Sequence, residues 1–220
     1  LVAIVGHDLR NPLFSISMAA EMLSSQMAPG AEHLVDRIQR SANRMTRMIS
    51  HILDFARIRS GQSFDLRIES ADLRHICQAV IDEFRFSKPD QEITLSIEGR
   101  TYAPVDSDRI ARVVSNLIGN AIQHGTQGPI EVTLRETESN AVAVEVHNFG
   151  PPIPRAVQPH IFEAFHRGTA PGSHRSSIGL GLFIANEIVR AHGGSITVRS
   201  PHRNGSTSSV VLPRTYEAAA

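Results

Sequence analysis

Val2, Gly6, Leu9, Leu13, Ile16, Ala20, Leu23 and Met27 recur at alternating steps of four and three, the spacing of a helix packed lengthwise on its neighbours. Pro29-Gly30 breaks the series. Leu34, Ile38, Ser41, Met45, Met48, Ile52 and Phe55 resume it with arginines on the opposite face. Residues 1–61 therefore predict an antiparallel helical hairpin. Two helices bury too little apolar surface alone, so a homodimer completing a four-helix bundle is the expected assembly.

Ser60-Gly61-Gln62-Ser63 ends the hairpin, and beyond it runs of period two mix with runs of period near 3.6. Strands are expected at 64–69, 92–97, 130–137, 141–147, 194–199 and 207–212, and helices at 71–86, 107–123 and 180–192. The mixture predicts an α+β chain whose second domain, 62–214, layers helices on one face of a sheet, with 215–220 as a tail. Residues 166–178, rich in glycine, serine and basic side chains, read as a long loop.

Composition narrows the function. Lysine plus arginine (22) balance aspartate plus glutamate (22), so no global field exists to hold nucleic acid or an anionic membrane, and any phosphate binding is local. The single cysteine, Cys77, cannot form an internal disulfide; its neighbours Leu73, Ile76, Val80 and Ile81 suggest a buried helix position in a reducing compartment. No apolar run approaches the roughly 18 residues of a membrane span, and no basic-then-apolar leader opens the chain. A cytoplasmic fragment without direct membrane contact is expected. Leu1-Val2-Ala3-Ile4-Val5 begins without methionine or helix cap, which suggests a piece of something longer.

The candidate chemistry begins at Gly6-His7-Asp8-Leu9-Arg10-Asn11-Pro12-Leu13. The His7 imidazole is a nucleophile, and Asp8 can hold one ring nitrogen and so raise the basicity of the other. Asn11 lies one helical turn on, placed to position a water, while Pro12 removes a helical hydrogen bond and loosens the turn beside the histidine. Later, Asn116-Leu117-Ile118-Gly119-Asn120 puts two amides one turn apart on a helix, and Gly179-Leu180-Gly181 opens another. Paired amides and a glycine-rich helix start suit a metal-bound triphosphate.

The segment from His7 to Leu13 resembles the phosphoacceptor box of the sensor histidine kinases of two-component systems. That family's further motifs have counterparts in order over nearly all of residues 1–214: Asn116 to Ala121, Val144 to Pro154, Ile161 to Arg167, and Ile178 to Ala185 followed by His192-Gly193-Gly194. The resemblance implies a second domain of the histidine kinase, gyrase and Hsp90 type. It implies Asn120 as Mg²⁺ ligand and Asn116 as a phosphate contact, and magnesium's preference for oxygen ligands agrees. Phe165 belongs to the box before the nucleotide lid, and Gly179 and Gly181 let backbone N–H groups approach phosphate at the positive end of a helix.

Four positions depart from the family. Gln123 stands at a usual lysine and His124 at a usual aromatic, so the usual phosphate cation is missing; Arg167 or Arg175 of the loop can supply charge, and His124 can still stack on a base. Asn148 replaces the aspartate that accepts from the adenine amino group, and Pro152 replaces the second glycine after Gly150. An amide oxygen accepts more weakly than a carboxylate and its nitrogen also donates, which predicts relaxed selectivity for adenine.

The family's activity would then be ATP- and Mg²⁺-dependent phosphorylation of His7 and transfer to an aspartate of a response regulator receiver domain. Asn11 matches the position that orients water for dephosphorylating the regulator. The alternative is a non-catalytic nucleotide-sensing or docking module, which the changes at positions 123, 148 and 152 favour.

Overall fold

Periodic apolar stripes become two separate cores. The structure, a computed structural model, describes residues 13–20, 22–23, 31–61, 64–126, 128–166, 179–201 and 205–215. The chain divides into two compact units, one of Leu1–Gly61 with Ala164–Gly181, the other of Gln62–Glu163 with Leu182–Ala220.

In the first unit, α1 comprises helical residues 13–20 and 22–23, and α2 spans Ala31–Arg59. The Arg37 guanidinium donates to the Ser15 hydroxyl at 3.0 Å, tying the two helices together. Ala19 and Met48 are buried, whereas Leu13, Phe14, Met18 and Met22 on α1 and Val35, Ile49 and Leu53 on α2 are exposed. Arg57 and Arg59 in the last turn of α2 oppose the negative helix end. Gly61, at φ +73°, then turns the chain out of the helix.

The second unit holds a five-stranded sheet in the order β2-β4-β5-β7-β6, formed by Ile93–Glu98, Ile130–Glu136, Ala141–Asn148, Ser206–Pro213 and Ser195–Arg199. β2 and β4 are parallel and the other neighbours antiparallel. A separate antiparallel pair joins β1, Glu69–Asp72, to β3, Tyr102–Val105. Strand alternation sends Ile130, Val132, Leu134, Val142, Val144, Val146, Val210 and Leu212 into the core. The opposite face carries polar side chains, among them Arg135 and Glu145, paired at 2.6 Å.

Three helices complete this core: α3, Leu73–Ser87; α4, Ser107–His124; and α5, Gly181–Ala191. α3 packs on α4 and β2, while α4 packs on β4 and β5. Each buries one stripe, which for α4 is Ile110, Val113, Val114, Leu117, Ile118 and Ala121. Cys77 is fully buried on α3, and burial first, with the nearby Asp72 carboxylate adding, pushes its thiol up to about 12. It is a packing residue.

Two buried aspartates set the helix starts. Asp72 caps α3 by accepting from the Arg74 amide at 3.0 Å. Burial disfavours its charge, but hydrogen bonds from the Thr101 hydroxyl and from Arg74 outweigh that and hold its carboxyl below the usual range. Asp106 caps α4 through the Arg109 amide at 3.0 Å and accepts from the Arg67 amide at 3.0 Å with its other oxygen.

The Arg67 bond corrects the expected strand at 64–69: residues 64–68 are not in a strand. Their polar backbone is drawn to the Asp106 cap, and Phe64 lies under the Arg109 guanidinium, 4.9 Å from its ring centre. Pairing starts only at Glu69, opposite a strand the periodicity misses because Pro104 interrupts it.

Asp106→Ala should cost about 1–2 kcal/mol, the usual loss for a helix N-cap. The effect reads as a lower urea midpoint, with Asp90→Ala at an exposed turn near zero.

Candidate functional site

The apolar stripe of α4 leaves Asn116 and Asn120 half-buried beside it, one turn apart. Asparagine is a mediocre helix former, so local propensity does not account for the pair. Among the described residues Asn120 makes no side-chain hydrogen bond, which leaves its amide oxygen available to a hard cation. No group of three or more histidine, cysteine, aspartate or glutamate side chains able to hold a metal occurs among the described residues. A cation here would draw on an amide oxygen, ligand phosphates and water, which suits Mg²⁺.

The end of α4 meets the end of β5, the central strand. The Gly125 amide closes the helix on the Ala121 carbonyl at 2.8 Å, and the Thr126 amide then donates to the Phe149 carbonyl at 2.8 Å. Gly150 completes the junction, since a Cβ there would stand 3.1 Å from the His124 carbonyl oxygen and 3.3 Å from the Thr126 nitrogen. Asn120, His124, Asn148 and Gly150, far apart in sequence, thus belong to two abutting segments of one unit. His124 faces solvent, and partial desolvation pushes its imidazole below the usual range, so it is neutral at pH 7.

Around Asn148 the packing is close. Its side-chain nitrogen donates weakly to the Phe149 carbonyl at 3.4 Å, which leaves the amide oxygen as an acceptor. Phe149 is 40 % exposed, and the His147 ring stands edge-on to it at 4.8 Å. Behind the strand end lies Gly205, whose sequence signal was only its place before a strand. At φ +76° its missing Cβ would fall 1.9 Å from the Asn148 carbonyl oxygen. Only glycine fits there.

In the first unit, Phe165 adopts φ +65°, rare for a bulky residue, and donates its amide to the Gly179 carbonyl at 2.9 Å. Its ring meets that of Phe55 on α2, edge to face at 4.9 Å. Gly179, at φ +75°, sits where a Cβ would be 2.6 Å from the His166 carbonyl oxygen. The two glycines therefore differ: Gly179 is a turn residue ahead of the buried Leu180, and α5 begins at Gly181. His7, Asp8, Asn11, Arg167 and Arg175 lie outside the described residues.

At the other end of α5, sequence periodicity gives no hint of a contact made by His192. It is 1 % exposed, donates from Nδ1 to the Ile188 carbonyl at 2.7 Å and accepts at Nε2 from the Asp106 amide at 3.0 Å.

Residues 105–216 match the family of histidine kinase-, DNA gyrase B- and HSP90-like ATPases, and residues 1–61 match the His Kinase A phospho-acceptor domain. The chain belongs to this ATPase family. With the phospho-acceptor domain ahead of it, the chain has the composition of a sensor histidine kinase catalytic core.

Among relatives, a bacteriophytochrome of Pseudomonas aeruginosa is 38% identical over 200 residues, 90% of this chain and 27% of that protein. The probable sensor histidine kinase TcrY of Mycobacterium tuberculosis is 33% identical over 204 residues, 90% of this chain and 42% of its own. The chain thus spans less than half the length of either. The histidine kinase ThkA, solved in complex with the response regulator TrrA, is similar in structure at TM-score 0.68 and 26% identity, over 97% of this chain and 61% of that one.

Gly205→Ala should destabilise the second unit by at least about 1 kcal/mol, the left-handed penalty for an alanine, with the Asn148 contact adding to it. Gly193→Ala, at φ +71° but with only the Pro213 side chain 3.7 Å away, carries the backbone penalty alone. Paired urea titrations should rank Gly205→Ala as the costlier change.

Proposed function

We propose that this chain transfers the γ-phosphoryl group of ATP to His7 and from there to an aspartate of a response regulator receiver domain. The observation that supports this reading is the junction of the end of α4 with the end of β5, where Gly150, just past the strand, abuts the His124 carbonyl and Asn148 approaches Gly125, with Asn120 one turn back on the same helix. Family membership supports ATP as the nucleotide. The changes at Asn148 and Gln123 weaken two usual contacts without removing the acceptor, the helix-borne amides or the glycine turns.

In this reading the Asn148 amide oxygen accepts from the adenine amino group, Gly150 leaves room for the base, and His124 stacks as a neutral ring. Asn116 contacts phosphate, and Gly179 and Gly181 bring backbone N–H groups to the start of α5. Phe165 anchors the lid segment and Arg167 supplies its cation. Mg²⁺, held through Asn120, spreads the negative charge of the phosphates when bound.

Asp8 holds one ring nitrogen of His7 and its proton, so the other carries the lone pair toward phosphorus. A nitrogen–phosphorus bond forms as the bond to the departing ADP oxygen breaks, and positioning supplies most of the acceleration. Asn11 orients the water that hydrolyses the phosphorylated regulator. The exposed Leu13, Phe14, Met18, Val35, Ile49 and Leu53 support burial against a second copy, giving a four-helix homodimer. Residues 1–61 act as the dimerising acceptor hairpin and 62–214 as the nucleotide domain. No helix among the described residues is long and apolar enough to cross a membrane.

Incubation with γ-labelled ATP and Mg²⁺ should give acid-labile, alkali-stable label on the protein, lost in His7→Gln. Asn11→Ala should retain that label while its phosphatase activity falls. Release of free phosphate without label would make the chain an ATPase, and binding without either would make it a sensing module.

A further inference from the structure

We propose that His192 is a positioning residue for nucleotide binding: a neutral imidazole that anchors the start of the asparagine helix α4 from the end of α5. The proposal rests on the nucleotide reading of the α4 and β5 junction and extends it to a residue 86 positions from its partner.

The geometry fixes the tautomer. The Ile188 carbonyl can only accept, so Nδ1 carries the proton, and Nε2 is left to accept from the Asp106 amide. Both bonds are buried, at 2.7 and 3.0 Å, and the ring is 1 % exposed. Asp106 is also the α4 cap, its two carboxylate oxygens already holding the Arg109 and Arg67 amides. His192 therefore grips the residue that starts α4, at the opposite end of the helix from the Thr126 to Phe149 bond. Asn116 and Asn120 lie between these two anchors. The His192 bond adds to the packing that lays α4 on β4 and β5, and losing it loosens the start of the helix that carries the two amides.

Protonation would remove the anchor. Imidazolium has a donor at each nitrogen, so Nε2 would confront the Asp106 N–H instead of accepting from it. The charged groups facing the ring are Asp106, the α4 cap, and Arg109 of α4, and its Nδ1 donates to the Ile188 carbonyl of α5. A charged ring would draw the Asp106 carboxylate off the Arg109 and Arg67 amides and uncap the helix, while Arg109 would repel it. Burial, with Arg109, holds the imidazole below its usual range against the pull of Ile188 and Asp106, so the ring stays neutral at pH 7. The anchor is complete above the ordinary histidine pKa of about 6.5 and is lost as pH falls through the lowered folded value.

The experiment uses the whole chain, wild type, His192→Gln and His192→Leu, with calorimetric titration of ADP in Mg²⁺ at pH 7.5 and at a pH below the His192 midpoint read from its ring proton spectrum. Glutamine keeps an oxygen acceptor near the Nε2 position and does not titrate; leucine removes it. Wild type should lose affinity several-fold more than His192→Gln on acidification, and His192→Leu should bind more weakly than His192→Gln at pH 7.5. The glutamine variant also subtracts protonation of ADP and of His124. Equal acid losses in wild type and His192→Gln overturn the proposal, as does wild-type affinity in His192→Leu. Failure of wild type to bind ADP at either pH overturns the nucleotide reading together with it, a result distinct from either. Should the variants not fold, wild-type amide spectra decide: the Asp106 and Asn120 resonances should shift with the His192 titration, and a still Asn120 overturns the proposal.

Discussion

One backbone hydrogen bond, from the Thr126 amide to the Phe149 carbonyl at 2.8 Å, fixes where the asparagine helix ends against the central strand. The contact at Gly205 depends on the absence of a side chain, because a Cβ there would strike the Asn148 and Phe149 backbone, while at Gly150 a Cβ would crowd the His124 carbonyl at 3.1 Å. Backbone contacts of this kind do not adapt as side chains do. The separation of Asn120 from Asn148 is therefore set by covalent geometry and a hydrogen bond, and the side chains that would meet a ligand inherit it.

The rest of the second unit holds that junction still. α4 is amphipathic enough to be pinned lengthwise on β4 and β5, so its half-buried amides face a fixed direction. Its start is tied by Asp106 to the Arg67 and Arg109 amides and to His192, and its end by Thr126. The buried aspartates of this core serve as helix caps, Asp72 with an added ion pair to Arg74 at 3.0 Å, so neither carboxylate is left without donors where that would be costly. The hairpin follows another logic. Its helices bury Ala19 and Met48 yet expose a row of large apolar side chains, a surface more economical in a pair than alone.

Much of this was legible in the chain. The four-and-three stepping of Leu34 to Phe55 marks α2, the stripe from Ile110 to Ala121 marks α4, and alternation in Val142, Val144 and Val146 marks the central strand. Local pattern suffices where one face is buried and the other wet. It fails at 64–68, where the alternation is real but the Arg67 amide goes to Asp106 and not to a ladder partner. It fails at Tyr102–Val105, a strand shortened and disguised by Pro104.

The candidate site divides in the same way. Amide pairs and glycine turns announce themselves by residue type, so Asn116, Asn120 and Gly150 could be read directly. Gly179 could be read as a special position but not as the turn that accepts from Phe165. His192 could be read only as the close of a helix and Gly205 only as a residue before a strand, because the contacts that matter at both are with partners brought near by the fold. The central claim is that the paired ends of α4 and β5 receive a nucleotide. Amide chemical-shift mapping with ADP and Mg²⁺ tests it most directly: the largest changes are predicted at Asn120, His124 to Thr126 and Asn148 to Gly150, whereas changes confined to the outer strand face around Thr133, Glu145 and Ser209, or none at saturation, would contradict it.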